Sequence, residues 1–451
     1  MIKRSFVPAF APALALVLSA SPAAATPVEG QGLAWDIVEG LTTDVGPRLA
    51  GTEREAAARE WAAAKLKALG LVNVRIEPFT MRAFIRGDEV ARLTAPVPQK
   101  LAITALGNSV PTPPGGIEAE MVYFATFDAL KAAPAGSLTG RAAFIDHAMR
   151  ANQDGSGYGP FGNVRRQGPS VASSKGAIAT VLRSAGTDRH RNPHTGATNF
   201  AAGVTPIPSG AVSNLDADLV ARTATRGKPM RIALTLTGHP LENAPSGNVI
   251  ADLLGRDPSL PLIVIACHLD SWDLGTGAID DAAGCGIITA AAIEAQRGGK
   301  LLRTVRLLWA GSEELGGFGG AAYAKAHANE PHALAMESDT GADRVWRVKF
   351  DLSAVNAPLA DRVTAALNPL GIVRSPDMPE GGTDVGPIIA ANKLAVIDLD
   401  QDATRYFALH HTPDDMLEMI DPLQLQQNVD AWVAVLKVVG NEAGPITGSG
   451  K

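Results

Sequence analysis

Five short segments carry histidine and carboxylate side chains in an order that can hold metal. They are His268-Leu-Asp270-Ser-Trp272-Asp273, Gly277-Ala-Ile-Asp280-Asp281, Ser312-Glu313-Glu314, Glu337-Ser-Asp339 and His410-His411-Thr412. Imidazole and carboxylate are the ligands zinc takes where it keeps a position open for water. Two histidines and three carboxylates, with a further carboxylate beside a ligand, suit a pair of zinc ions that activate one water. Each segment alone has a plainer reading. A histidine after a buried strand is often just hydrogen-bonded there, and an aspartate at a strand end is often a turn former. Asp280-Asp281 precedes an alanine-rich helix, where a cap and a first-turn acid belong, and that role is favoured for Asp281. It is the ordered set that points to metal. Asp270 lies two residues after His268, on the same side of an extended chain, where an outer carboxylate orients a metal-binding imidazole. Glu313 and Glu314 point in different directions, so one can bind metal while the other handles protons. Of His410 and His411, one ligand is enough.

These residues need elements to place them. Val249–Leu254, Leu262–Ala266, Val305–Trp309, Ala333–Met336 and Leu394–Leu399 read as strands. Leu262–Ala266 and Val305–Trp309 are nearly continuous apolar runs, as expected of strands covered on both faces. Helical stretches are expected at 281–297 and 355–370. The candidate ligands then fall just past strand ends, where open α/β sheets put their sites. Near the start, residues 32–44 suit a first helix. Thr52-x-x-Glu55 is a capping box for a second, with Ala58, Ala62, Leu66 and Leu69 at helical spacing and Gly70 as its stop. Val72–Glu77 alternates as a half-buried strand.

From about residue 110 the composition changes. Val110-Pro-Thr-Pro-Pro-Gly-Gly reads as a boundary, and short strand candidates such as Ala142–Ile145 and Met230–Leu236 follow between polar loops. A helix over Ala172–Ser184 is the exception expected there. The expected fold is therefore α/β: a mixed, largely parallel central sheet flanked by helices, with an inserted β-rich domain. Residues 26–112 and 243–445 form the discontinuous catalytic domain, 113–242 the insertion, and 446–451 a tail expected to fray.

Residues 1–25 read as a signal peptide: Lys3 and Arg4, an apolar run to Ala20, then Ala23-Ala24-Ala25. Export to the periplasm or medium is the expectation. Cleavage removes two basic residues and no acids, leaving 38 basic against 46 acidic residues and a net charge of −8. That balance argues against nucleic acid and against an anionic membrane as partner, and no membrane association is expected of the mature form. Cys267 and Cys285 are the two cysteines. They are too few for a disulfide scaffold, and two buried free thiols are the favoured reading.

With these segments in view, the sequence resembles the zinc exopeptidases of the bacterial leucyl aminopeptidase and carboxypeptidase Q group. Gly381-Gly-Thr-Asp384 and Gly46-Pro-Arg-Leu-Ala-Gly51 also fit. The resemblance implies that His268 and Asp339 hold one zinc, that Glu314 and His411 hold the other, and that Asp280 bridges them. It makes Glu313 the general base and Asp270 the residue that orients His268, and it makes the insertion a protease-associated type of domain. Asp415-Met416 stands where relatives more often carry Asp-Thr, and Cys267 where glycine is common. Neither change removes a ligand.

The implied activity is a two-zinc aminopeptidase or dipeptidase acting on small peptides. A homodimer is one arrangement found among related enzymes. A glutaminyl cyclase-like acyltransferase of the same fold uses a single zinc, and the full ligand set argues against it. A binding ectodomain without chemistry would not need Glu313. No G-x-S-x-G elbow and no H-E-x-x-H is present in the chain.

Overall fold

A computed structural model describes residues 31–450, together with Met1. The expected signal peptide lies outside the described residues. Among those described, no helix is long and apolar enough to cross a membrane.

The chain opens with α1 (Leu33–Gly40) and α2 (Glu53–Ala68). The Thr52 hydroxyl accepts the Glu55 N–H, so half of the expected capping box forms. Glu55 does not reach back. Its carboxylate, buried, takes Arg59 and the Ser246 hydroxyl instead. β1 (Val72–Ile85) is longer than the alternation indicated and leads into a second sheet. That sheet holds β2 (Glu89–Ala95), β3 (Gln99–Leu101), β4 (Ile103–Ala105), β5 (Ile117–Phe124), β6 (Ala142–Ile145), β7 (Ala179–Arg183), β8 (Ser209–Val212) and β9 (Met230–Leu236). The helices α3 (Phe127–Ala132), α4 (Tyr158–Ser174) and α5 (Asn214–Thr225) accompany it.

β10 (His239–Leu253) returns to the first sheet, which continues with β11 (Leu262–His268), β12 (Val305–Ala310), β13 (His332–Glu337), β14 (Val345–Asp351), β15 (Val373–Arg374) and β16 (Ala395–Gln401). Between and after them come α6 (Ala283–Ala295), α7 (Phe318–Ala326), α8 (Ala357–Leu367), α9 (Gly386–Asn392), α10 (Tyr406–Leu409) and α11 (Pro422–Val439). The strand order is β1-β10-β12-β11-β13-β16-β14-β15. Its centre, β12-β11-β13-β16, is parallel, and antiparallel strands extend it on both sides. All seven residues of β11 are buried, with α6 on one face and α7 and α9 on the other. This is the apolar run read from the sequence, now sandwiched between helices.

Three expectations need correcting. Sheet membership moves the near edge of the insertion from residue 113 to the turn after Ile85, because β2, β3 and β4 all pair within the second sheet. The Pro- and Gly-rich stretch at 110–116 merely separates β4 from β5. Turn residues mark where a strand stops, not which distant strand it will join. The helix expected over 172–184 ends at Ser174. Gly176 then turns the chain at φ +94° and β7 follows, fully buried. The tail from Gly444 is docked rather than frayed. Ile446 sits in the main core, the Thr447 N–H donates to Asn356 Oδ1 at 3.0 Å, and the Ser449 N–H donates to Asp351 at 3.0 Å.

The cysteines also differ from expectation: Cys267 and Cys285 form a disulfide, with Cα atoms 5.1 Å apart. Cys267 alternates with His268 along β11, so it faces the opposite side of the sheet. There the first turn of α6 brings Cys285 against it, a contact that strand periodicity could not foresee. The bond closes a sequence separation of 18 residues beneath the candidate site. Chain entropy then assigns it about 3 kcal/mol. The Cys267→Ala/Cys285→Ala variant should lose roughly that much stability in denaturant titration. A change below about 0.5 kcal/mol, at the level of an ordinary surface substitution, would show the bond to be dispensable.

Candidate active site

Three parallel strands deliver most of the chemistry. β12, β11 and β13 lie side by side, and their C-terminal ends open on one cleft. His268 ends β11, Glu313 and Glu314 follow β12, and Asp339 follows β13. Asp280 comes from the loop ahead of α6, and His411 follows α10. Gly277 bends that loop at φ +62°, and a Cβ there would stand 2.3 Å from Ser271 Cβ. The Asp280–Asp281 peptide is cis.

All five expected ligands meet. His268 Nε2 lies 3.1 Å from Asp280 Oδ1 and 3.4 Å from Asp339 Oδ1. His411 Nε2 lies 3.3 Å from Asp280 Oδ2 and 3.0 Å from Glu314 Oε2. Asp280 thus presents one oxygen to each histidine. His410 stacks on His411 and comes within 3.5 Å of Asp280 Oδ2, but touches no second carboxylate.

The environment suits cations. Asp280 Oδ2, Glu314 Oε1 and Asp339 Oδ1 are buried with no hydrogen-bond partner. Burial pushes the Glu314 carboxyl up to about 8 and Asp339 up to about 6. Carboxylates crowded away from water want a proton or a metal ion. Asp281 also stands close to this cluster, but its oxygens are engaged. One accepts the Gly284 N–H at 2.9 Å, in the first turn of α6, and the other accepts the His268 N–H at 3.1 Å. The capping role favoured for Asp281 is the one it plays.

Both histidines are held by carbonyls behind them. His268 Nδ1 lies 2.9 Å from the Asp270 carbonyl, and His411 Nδ1 lies 3.2 Å from the Thr195 carbonyl. A proton on each Nδ1 satisfies those contacts and leaves both Nε2 lone pairs facing Asp280. The expectation for Asp270 is thereby refined. Its backbone oxygen takes the His268 ring, whereas its carboxylate stands 3.8 Å away and accepts the Glu313 N–H at 3.0 Å. One residue thus ties the end of β11 to Glu313. Burial pushes the Asp270 carboxyl up to about 7.

Other positioning residues carried weaker sequence signals. Arg48, fully buried, donates to the carbonyls of Leu269, Thr276 and Gly277 at 2.5, 2.6 and 2.9 Å, clamping the loop between His268 and Asp280. Its segment was noted only for resemblance. Asp415 accepts the Ile279 N–H at 2.7 Å and steadies the same loop. Glu337 accepts the N–H groups of Thr383, Asp384 and Val385, pinning the 381–384 turn to the end of β13. Thr195 and Arg165 come from the insertion and had no signal at all. Arg165 Nη1 donates to the Thr195 carbonyl at 3.3 Å, the same carbonyl that takes the His411 Nδ1 proton, and lies 3.2 Å from that Nδ1 without a hydrogen bond to it.

A cleft of about 770 Å³ opens over the cluster. It is lined by Glu313, Glu314, Asp339 and His411 and by Tyr158, Arg165, Arg166 and Asn199 of the insertion. Among the described residues, none from β2 to β9 joins the ligand cluster itself.

Residues 248–436, which contain every one of these candidate ligands, match the model of peptidase family M28. Carboxypeptidase Q of Bos taurus is 32% identical over 416 residues, which cover 92% of this chain and 86% of that protein. The chain belongs to peptidase family M28. Carboxypeptidase Q of Homo sapiens is 31% identical, with 92% and 86% covered. A peptidase M28 precursor from Shewanella amazonensis superposes with a TM-score of 0.89 at 41% identity, over 92% of this chain and 94% of its own. A zinc aminopeptidase from Bacillus subtilis shares the fold, with a TM-score of 0.64 at 18% identity over 91% and 95% of the two chains. Membership places this M28 chain among the metallopeptidases, in keeping with a buried cluster of imidazole and carboxylate.

Proposed function

We propose that this M28 protein is an exported exopeptidase with two zinc ions per chain, acting on small peptides as an aminopeptidase or dipeptidase. The observation that carries the reading is Asp280, whose two oxygens face two separate His-carboxylate pairs. One zinc fits His268, Asp339 and Asp280, and the other fits His411, Glu314 and Asp280. The unpartnered oxygens of Asp280, Glu314 and Asp339 match the donors zinc requires. Bound zinc supplies Lewis acidity, lowering the pKa of water toward neutrality and offsetting charge that develops on the carbonyl oxygen.

The chain's own residues do the rest. Glu313 lines the cleft with its backbone anchored by Asp270, and it serves as general base toward water. The same carboxyl then returns the proton to the leaving amine. Asp270 and Thr195 hold the two imidazoles in the ligating tautomer. The negative charge that Glu313 and Asp339 bring to the cleft suits a free substrate α-amine. The insertion, a protease-associated type of domain in this reading, walls the cleft and limits substrate length. Export rests on the N-terminal segment.

N-acetylated peptides test the exopeptidase reading. Acetylation removes both the charge and the lone pair of the α-amine. Losing that orientation is expected to lower kcat/KM on the order of 10²-fold or more. Efficient cleavage of N-acetylated peptides at internal bonds would falsify the exopeptidase assignment while leaving a zinc hydrolase in place.

A further inference from the structure

We propose that His194 is a positioning residue of the metal centre: from the insertion it holds the peptide that aims His411, so the insertion completes one of the two metal positions and leaves the other to the catalytic domain. The inference rests on the two-zinc reading. It goes beyond that reading by making the two positions unequal and naming the residue that makes them so.

His411 needs holding. Its backbone sits at φ +62°, in the left-handed region that is uncommon for residues other than glycine. The His410 carbonyl belongs to the peptide plane that this angle turns. A bond to that oxygen therefore sets the direction in which the His411 imidazole leaves the chain. His194 makes the bond. Its Nδ1 lies 2.8 Å from the His410 oxygen, and a carbonyl only accepts, so Nδ1 carries the proton. The same loop holds the carbonyls on either side. The Thr195 N–H donates to the His411 oxygen at 3.0 Å, and the Thr187 N–H donates to the Phe407 oxygen at 2.9 Å.

His194 is itself braced, and only 1% exposed. Its Nε2 lies 2.6 Å from Asp188 Oδ1, which also accepts the Asn214 amide at 3.0 Å. Asp188 Oδ2 accepts the His190 N–H at 2.9 Å. The His194 N–H donates to the Ser184 hydroxyl at 2.8 Å, and that hydroxyl donates to the Val212 carbonyl at the end of β8 at 2.8 Å. A Cβ at Gly186 would stand 2.1 Å from the His194 ring, so glycine there leaves the imidazole its place. The contacts thus run from the second sheet through His194 to the His410–His411 peptide. The other position is held differently. The His268 ring meets the carbonyl of Asp270, two residues along its own segment, and Asp339 follows β13.

The test is zinc affinity, read on the full chain by competition with a chelator of known strength. In Asp339→Asn the ion that remains is the one at His411 and Glu314. In Glu314→Gln it is the one at His268 and Asp339. Adding His194→Gln should weaken the first by about 10–100-fold, the usual cost of losing a group that orients a metal ligand, and leave the second at its parent value. Glutamine keeps a nitrogen at the ε position, toward Asp188, and loses the one at δ. His194→Asn keeps the δ nitrogen and should recover most of the affinity for the first ion. Gly186→Ala displaces the ring without removing it, so it should repeat the selective loss, and it decides the matter if His194→Gln does not fold. Equal weakening in both backgrounds, no weakening in either, or an asparagine variant no better than the glutamine one overturns the assignment. A wild type that holds a single ion ends the two-zinc reading instead. If Glu314→Gln releases that ion, His194→Gln must still weaken it. If Glu314→Gln does not release it, His411 holds no metal and the inference falls too.

Discussion

Glu313→Gln is expected to lower kcat/KM by about 10²–10⁴-fold or more, the cost of a lost general base, while zinc content stays at the wild-type level. The amide keeps the size of the side chain and cannot accept a proton. Glu313 is well suited to this comparison because its backbone N–H, not its carboxylate, is bound by Asp270. The substitution therefore leaves that contact in place. None of the four contacts among the five candidate ligands runs through Glu313, so metal binding has no reason to change. The loss should appear in kcat, since a proton moved in the transition state adds little to ground-state binding. Near-normal kcat with full zinc would move the base elsewhere.

Asp280→Asn should have the second large effect, on metal before rate. Asp280 faces His268 with one oxygen and His411 with the other. Replacing one oxygen by an NH2 group removes the charge and turns an N–H donor, which has no lone pair to offer a metal, toward one of the two positions. Zinc content measured after dialysis against buffered free zinc should fall from the proposed two per chain to below one. Asp339→Asn, whose carboxylate faces His268 alone, should lose one ion and keep the other. Several kcal/mol of transition-state stabilisation go with the metals, so activity of Asp280→Asn should drop on the order of 10³-fold or more. Retention of two tightly held ions would end the bridging assignment.

Much of this site was legible before folding was considered. His268, Glu314 and Asp339 each sit just past an apolar run, and such runs become the buried strands of a parallel sheet whose ends converge. The capping duty of Asp281 followed from the helix after it. The tail was misjudged because glycine content reports on chain freedom and says nothing of the Asn356 and Asp351 contacts that hold it. The 172–184 helix failed for a related reason. Composition there permitted a helix, whereas pairing with β6 and β8 made 179–183 a strand.

By itself, the sequence determined the types and order of the candidate ligands and, for His268, Glu314 and Asp339, their place at strand ends, because these depend on side-chain chemistry and on periodicity within a few residues. Only the tertiary structure decided what surrounds them. It set Asp270 between His268 and Glu313, joined Cys267 to Cys285, and brought Thr195 and Arg165 to His411 across 216 and 246 residues of chain. It clamped the ligand loop with Arg48 from 221 residues away. Contacts of that span are set by tertiary packing, and no local pattern of residues encodes them.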